Sequence, residues 1–138
     1  AAGAKILPET SIYIADTLGE LGLFYRAVDL VFMGGTLVPH GGQNLLEPAA
    51  LGRPVLFGPY VHNFQAIADR MAEKGGAHGV ADAAELGTTV ARLLSDDAER
   101  LAMGDAAAAV ASSEAHVLDD YLAALAPILP NRPAHAGA

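Results

Sequence analysis

Three observations predict an α/β domain built on an open parallel sheet with helices on both faces and a helical C-terminal end. Strand-like runs alternate with helical patterns over roughly the first 80 residues, as in βαβ units. The two clearest runs, Asp29–Gly35 and Pro54–Pro59, are apolar throughout instead of alternating, which suits parallel strands covered on both faces. Each run reaches glycine at its carboxyl end, the edge where open α/β sheets bind ligands.

The elements follow in order. Ser11–Asp16 ("SIYIAD") is β-branched and aromatic, bounded by Pro8 and Gly19, and reads as a first strand. Leu18–Val28 carries a short helical stripe at Leu18, Leu21, Phe24 or Tyr25, and Val28, weakened by Gly22. Asp29–Gly35 is the next strand, and the loop Thr36–Gln43 follows it. A helix is expected over Asn44–Leu51, with Gly52 as its stop. Pro54–Pro59 is a second buried strand. Asn63–Gly75 reads as a helix capped by Asn63, with Phe64, Ile67 and Met71 on one face. Ala77–Asp82 is a weak short strand, and three Ala-rich helices are expected over Ala83–Leu94, Asp96–Ser112 and Ser113–Leu125. Residues 1–126 then form one domain, and 127–138 a flexible tail.

Composition narrows the function classes. The chain has 138 residues, enough for one domain of ordinary size. With 52% hydrophobic and 17% charged residues it can bury a core, which excludes global disorder. The net charge of −8 argues against nucleic acid as a partner, because phosphate backbones require clustered Lys and Arg. The absence of cysteine excludes disulfides and thiolate metal sites and fits a reducing compartment. No apolar run approaches the ~20 residues of a membrane span, and no signal peptide is visible. Nucleophile-elbow, phosphate-binding P-loop, zinc and kinase motifs are also missing, and His40 and His62 have no partner at metal-ligand spacing, so no metal or other cofactor is expected.

The candidate site lies in the loops after the two glycine-ended strands. Gly34-Gly35 exposes backbone N–H groups and Thr36 adds a hydroxyl, a cradle for one phosphate or carboxylate, or else a plain tight turn. Gly41-Gly42 leads through Gln43 into the helix start at Asn44, where N–H groups and a partial positive charge favour anions. In an acidic domain, backbone amides and helix termini are the means of making such a pocket attractive to an anion. Asn44 and Glu47 admit two readings. They form a capping box, or the helix starts later, Pro48 takes its first position, and Glu47 turns to accept ribose hydroxyls. Gly58, Pro59 and Asn63 lie at the end of the second buried strand. Glu20 is expected to support the first turn of its helix, and Arg26 and Arg53 to pair with surface acids.

The order "DTLGELGLFY … FMGGTLVPHGGQNLLEPAALGRPVLFGP … NF" resembles the C-terminal half of the bacterial 3-deoxy-D-manno-octulosonic acid (Kdo) transferases of lipid A biosynthesis. The matching motifs cover about Asp16–Phe64. The resemblance implies part of a Rossmann-like GT-B C-terminal domain from an inverting, metal-independent glycosyltransferase. Such an enzyme moves Kdo from CMP-Kdo to a lipid A precursor at the cytoplasmic face of the inner membrane, in lipopolysaccharide biosynthesis. Gly34, Gly35 and Thr36 would be the phosphate-side loop, where the family usually has Gly-Gly-Ser. Gly41, Gly42, Asn44 and Glu47 would be the donor-binding segment, with Glu47 toward the ribose, and Gly58, Pro59, Asn63 and Phe64 the loop near the donor sugar.

The same resemblance implies what the chain does not carry. The family's catalytic base, its acceptor surface and its membrane anchor belong to the N-terminal domain, so no catalytic residue is expected here and the chain alone should be inactive. The first strands of the donor domain are expected to be absent too. Ser11–Asp16 would then dock beside Leu30–Met33, pair with another chain, or stay loosely held, and a complete six-stranded sheet would overturn the truncation. The rival readings are a GT-B enzyme using a UDP-sugar and, from another class, a flavodoxin-like binding or regulatory module.

Overall fold

The structure is a computed structural model that describes residues 7–16 and 18–125. Its sheet has three parallel strands, β1 (Val31–Phe32), β2 (Val55–Phe57) and β3 (Ala77–Gly79), in the order β1-β2-β3. Val31 pairs with Val55 and Phe32 with Leu56, while Val55, Leu56 and Phe57 pair with Ala77, His78 and Gly79. The helices are α1 (Leu21–Ala27), α2 (Leu46–Ala49), α3 (Gln65–Glu73), α4 (Ala83–Ser95) and α5 (Asp97–Leu125).

β2 is buried at every residue because helices cover both faces. Successive strand side chains point to opposite faces. Val55 and Phe57 accordingly join Ala49, Ala68, Met71, Ala107 and Val110 in one core cluster, under α2, α3 and α5. Leu56 points the other way, to Leu93 of α4 and Met103 of α5, with Phe32 and Val90 packed around them. α5 thus contributes to both cores. Side-chain caps set the starts of α4 and α5. The Asp82 carboxylate accepts from the N–H groups of Ala84 (2.8 Å) and Glu85 (2.9 Å), and Glu85 accepts in return from Ala81 N–H. Asp96 accepts from Glu99 N–H at 2.9 Å, which starts α5 one residue after α4 has ended.

Several expectations need correction. Ser11–Asp16 is not a strand, and no ladder pairs it with β1 among the described residues. Two of its apolar side chains, Ile12 and Ile14, are each 81% exposed. β-Propensity describes a fit to a pleated surface, and without a neighbouring strand there is none to fit. The three strands are shorter than the runs that announce them, since pairing ends where the loops turn away. α1 begins at Leu21, three residues after the expected start. α2 is a single turn and not the eight-residue helix expected over Asn44–Leu51. The two expected helices meeting at Ser112–Ser113 are one, because Ser113 Oγ donates to the Val110 carbonyl (2.8 Å) within the helix and breaks nothing. The expected tail from Pro127 onward, and Thr17, lie outside the described residues.

Candidate functional site at the carboxyl rim of the sheet

Two loops meet at the carboxyl ends of β1 and β2, and Thr36 ties them together. Its side chain is fully buried, donates to the Met33 carbonyl at 2.5 Å and accepts from Gly58 N–H at 2.8 Å. Its carbonyl accepts from Tyr60 N–H at 3.0 Å. Gly58 must be glycine, because a Cβ there would collide with the Thr36 carbonyl group. The Thr36 hydroxyl, expected as a donor to a ligand, is therefore engaged inside the protein, where it fixes the spacing of the two loops.

The first loop closes with a hydrogen bond from Gly42 N–H to the Gly35 carbonyl (3.3 Å). Gly41 and Gly42 have φ of +102° and +79°, a region that L side chains avoid, and both are buried. Gly41 also backs onto His62 and Asn63, where a Cβ would lie 2.7 Å from His62 Nε2. Asn63 is therefore set against the first loop; it does not cap α3, whose N-cap is Phe64 with no side-chain cap bond. Pro59 is exposed at the rim, and the His40 side chain packs over Gly35.

Asn44 and Glu47 resolve into an arrangement between the two sequence readings. Asn44 Oδ1 accepts from Leu46 N–H at 3.1 Å, and its Nδ2 donates to Glu47 Oε1 at 3.3 Å. The N-cap position belongs to Leu45, so no reciprocal capping box forms. Pro48 is the third residue of α2, where its missing N–H would have had no helical partner. Glu47 remains exposed.

These residues open on a cleft of about 380 Å³ between α1, the end of β1 and α2, lined among others by Tyr25, Phe32, Gly34, Gln43, Asn44 and Glu47. Among the described residues, no group accepts a hydrogen bond from the backbone N–H of Gly34, Gly35, Gln43 or Asn44. A larger hollow of about 460 Å³ lies among α3, α4 and α5, with Lys74, His78 and Arg92 on its wall. None of the sequence-predicted residues reaches it, and the rim cleft has the convergent polar groups that a binding site needs. Tyr25 and Gln43 are the cleft residues missed in the sequence. The signal for Tyr25 was its adjacency to Phe24, since neighbours on a helix cannot share one stripe. Phe24 packs on Tyr13 with ring centroids 5.8 Å apart, which leaves Tyr25 to face the cleft.

Burial first, and then the negative charge of Glu47, push the Tyr25 phenol above its ordinary pKa. Arg26 and Arg53, expected to pair with surface acids, bind carbonyls instead. Arg26 Nη1 donates to Gly22 O (2.8 Å) and Arg53 Nη2 to Arg26 O (3.0 Å), which ties the end of α1 to the segment after α2. The Glu20 side chain does not cap α1, although its carbonyl accepts from Leu23 and Phe24 N–H. Among the described residues no group of three or more His, Cys, Asp or Glu could hold a metal ion, and no helix is long and apolar enough to cross a membrane.

No family model matches the chain. It is 37% identical over 108 residues to a 3-deoxy-D-manno-octulosonic acid transferase of Bordetella pertussis, a match covering 78% of the chain and 25% of the relative. The corresponding transferase of Haemophilus influenzae is 37% identical over 123 residues, 87% of the chain and 28% of the relative. Among solved structures, the crystal structure of the C-terminal CMP-Kdo binding domain of WaaA from Acinetobacter baumannii superposes with a TM-score of 0.70 at 33% identity, covering 73% of the chain and 53% of that domain. The chain belongs to the Kdo transferase family. It spans about a quarter of the length of the curated Kdo transferases it matches. Its three parallel strands, expected from the alternating pattern, are part of the Rossmann-like sheet of a GT-B C-terminal domain, as the resemblance implied.

Proposed function

We propose that the rim cleft binds the nucleotide of CMP-Kdo, and that the chain is the donor-side portion of an enzyme transferring Kdo to a lipid A precursor. The observation that carries this reading is the convergence of Gly34, Asn44 and Glu47 on one cleft at the carboxyl rim of a sheet that superposes on a CMP-Kdo binding domain. The unpaired N–H groups of Gly34, Gly35, Gln43 and Asn44 would take the phosphate, and Glu47 the ribose hydroxyls. Gly41, Gly42, Gly58 and Asn63 set the contact between the two loops, and neither they nor Pro59 line the cleft itself.

The reaction in this reading is a direct displacement with inversion. An acceptor hydroxyl attacks the anomeric carbon while CMP departs, and the amides stabilise charge growing on its phosphate. The base that deprotonates the acceptor, the acceptor surface and the attachment to the cytoplasmic face of the inner membrane would come from polypeptide other than these residues. The chain alone is then inactive, and turnover of CMP-Kdo with a lipid A precursor by the purified chain would refute this.

Titration calorimetry tests the donor site. CMP binds the chain more tightly than UMP or UDP, and Glu47→Gln weakens CMP by about tenfold or more while leaving the melting temperature within a few degrees. A Glu47→Gln chain that loses stability and keeps its CMP affinity would return Glu47 to a purely structural role.

A further inference from the structure

The segment before β1 exposes more apolar surface than a lone chain has use for. Leu7, Ile12, Ile14, Leu18, Leu21 and Leu23 are each more than half exposed. Single exposed apolar side chains are ordinary, but a contiguous stretch of them marks an interaction surface. Within it, Ser11–Asp16 keeps the alternation of a strand with one side docked. The Tyr13 ring packs on Phe24 of α1, with centroids 5.8 Å apart, while Ile12 and Ile14 on either side of it stay 81% exposed. β1 offers the complement. Val31 N–H donates to Pro54 O at 3.0 Å and Met33 N–H to Leu56 O at 2.8 Å, both toward β2. Successive residues of a strand aim their N–H and C=O groups at opposite sides, so Leu30 and Phe32 direct theirs at the outer edge. No strand pairs there among the described residues, and β1 is only half-buried where β2 is buried throughout. An open edge of this kind is a template for a further strand.

We propose that two copies of the chain associate by exchanging this segment: Ser11–Asp16 of each copy adds as a strand to the outer β1 edge of the other. The occupant is a second copy because every chain carries both parts, a strand-forming segment with no ladder and a strand edge with no neighbour, and its own fold does not bring them together. The contact is self-complementary, so it closes at two copies and builds no filament. Backbone hydrogen bonds at the edge hold the added strand, and Ile12 and Ile14 gain cover from the partner. The patch is small beside a permanent interface, and each copy has a net charge of −8, so the dimer is a weak one that forms in the micromolar range. No part of the proposal rests on the donor-site reading.

Sedimentation equilibrium on the full chain at about 0.15 M salt tests it, with hydrogen exchange alongside. Between about 1 μM and about 100 μM the mass rises from the 14.1 kDa of one chain toward twice that value. Ile14→Asp puts a charge on the exchanged strand and raises the dissociation constant about tenfold or more. Because the side chain it replaces is exposed, the dilute variant melts within a few degrees of wild type. In the wild-type dimer the Leu30 and Phe32 amides exchange about tenfold more slowly than in the Ile14→Asp chain at the same concentration, while Val31 and Met33, already bonded to β2, behave alike in both. A chain that stays at one copy over the whole range overturns the proposal and leaves the β1 edge to other polypeptide. A dimer that Ile14→Asp does not weaken, or in which the Leu30 and Phe32 amides gain no protection, overturns it as well, since the copies then meet through another surface.

Discussion

Thr36 uses its one hydroxyl as donor and acceptor at once, to Met33 O and from Gly58 N–H, at a site sealed from solvent. Thr36→Val keeps the shape and leaves a buried N–H and a carbonyl without that partner, at a cost of about 1–3 kcal/mol. Thr36→Ser keeps both bonds and loses only the methyl group near Gly42, for about 0.5–1.5 kcal/mol. Chemical denaturation of the two variants should therefore rank serine above valine. The reverse order would mean that the methyl contact matters more than the hydroxyl. The glycines at this rim divide in the same physical way. Gly58 makes room for the backbone of Thr36, whereas Gly41 and Gly42 supply left-handed turns, so one residue type serves two different needs within one loop pair.

Packing between elements is closest where α5 passes under the sheet. A Cβ at Gly76, just before β3, would lie 2.6 Å from both Cα and N of Ala107. Gly76→Ala should push α5 away, cost about 1–3 kcal/mol and lower the melting temperature by about 5 °C or more, while CMP affinity stays within twofold. A variant that binds CMP poorly yet melts normally would contradict this. Such contacts also mark the limits of sequence reading. The runs around Val31 and Val55 announced strands by their apolar signature, strongest in the fully buried β2, whereas β3, with two of its three residues exposed, gave only a weak signal. The site loops were legible because Gly34-Gly35, Gly41-Gly42 and the Asn44–Glu47 spacing punctuate the chain. Ser11–Asp16 also carried a strand signature and is no strand, because pairing is a property of two segments and local sequence describes only one. The internal use of the Thr36 hydroxyl was hidden for a similar reason: its partner Gly58 lies 22 residues away. Tyr25 was hidden by its neighbour, since only packing decides which of two adjacent aromatics faces inward.

At the scale of the whole molecule, a chain of net charge −8 is assigned an anionic ligand. Among the described residues, the cations do not resolve this. Arg26 and Arg53 are tied to carbonyls, and Arg70, Lys74, Arg92 and Arg100 belong to α3, its end, α4 and α5. If backbone amides hold the phosphate, added salt screens the repulsion without breaking a key ion pair. CMP affinity should hold or rise between about 0.01 M and about 0.15 M salt, as the screening length falls from about 30 Å to about 8 Å. A tenfold loss would place a lysine or arginine at the phosphate. The sheet also keeps its two rims apart. The cleft opens beyond the carboxyl ends of β1 and β2, while the glycine contacts with α5, at Gly52–Gly104 and Gly76–Ala107, lie at the amino ends of β2 and β3. Robustness and ligand choice can therefore be engineered, or can drift in evolution, on separate sets of residues: tighter packing under one rim leaves the other chemically unchanged, and a chain retuned to a new nucleotide keeps its foundation.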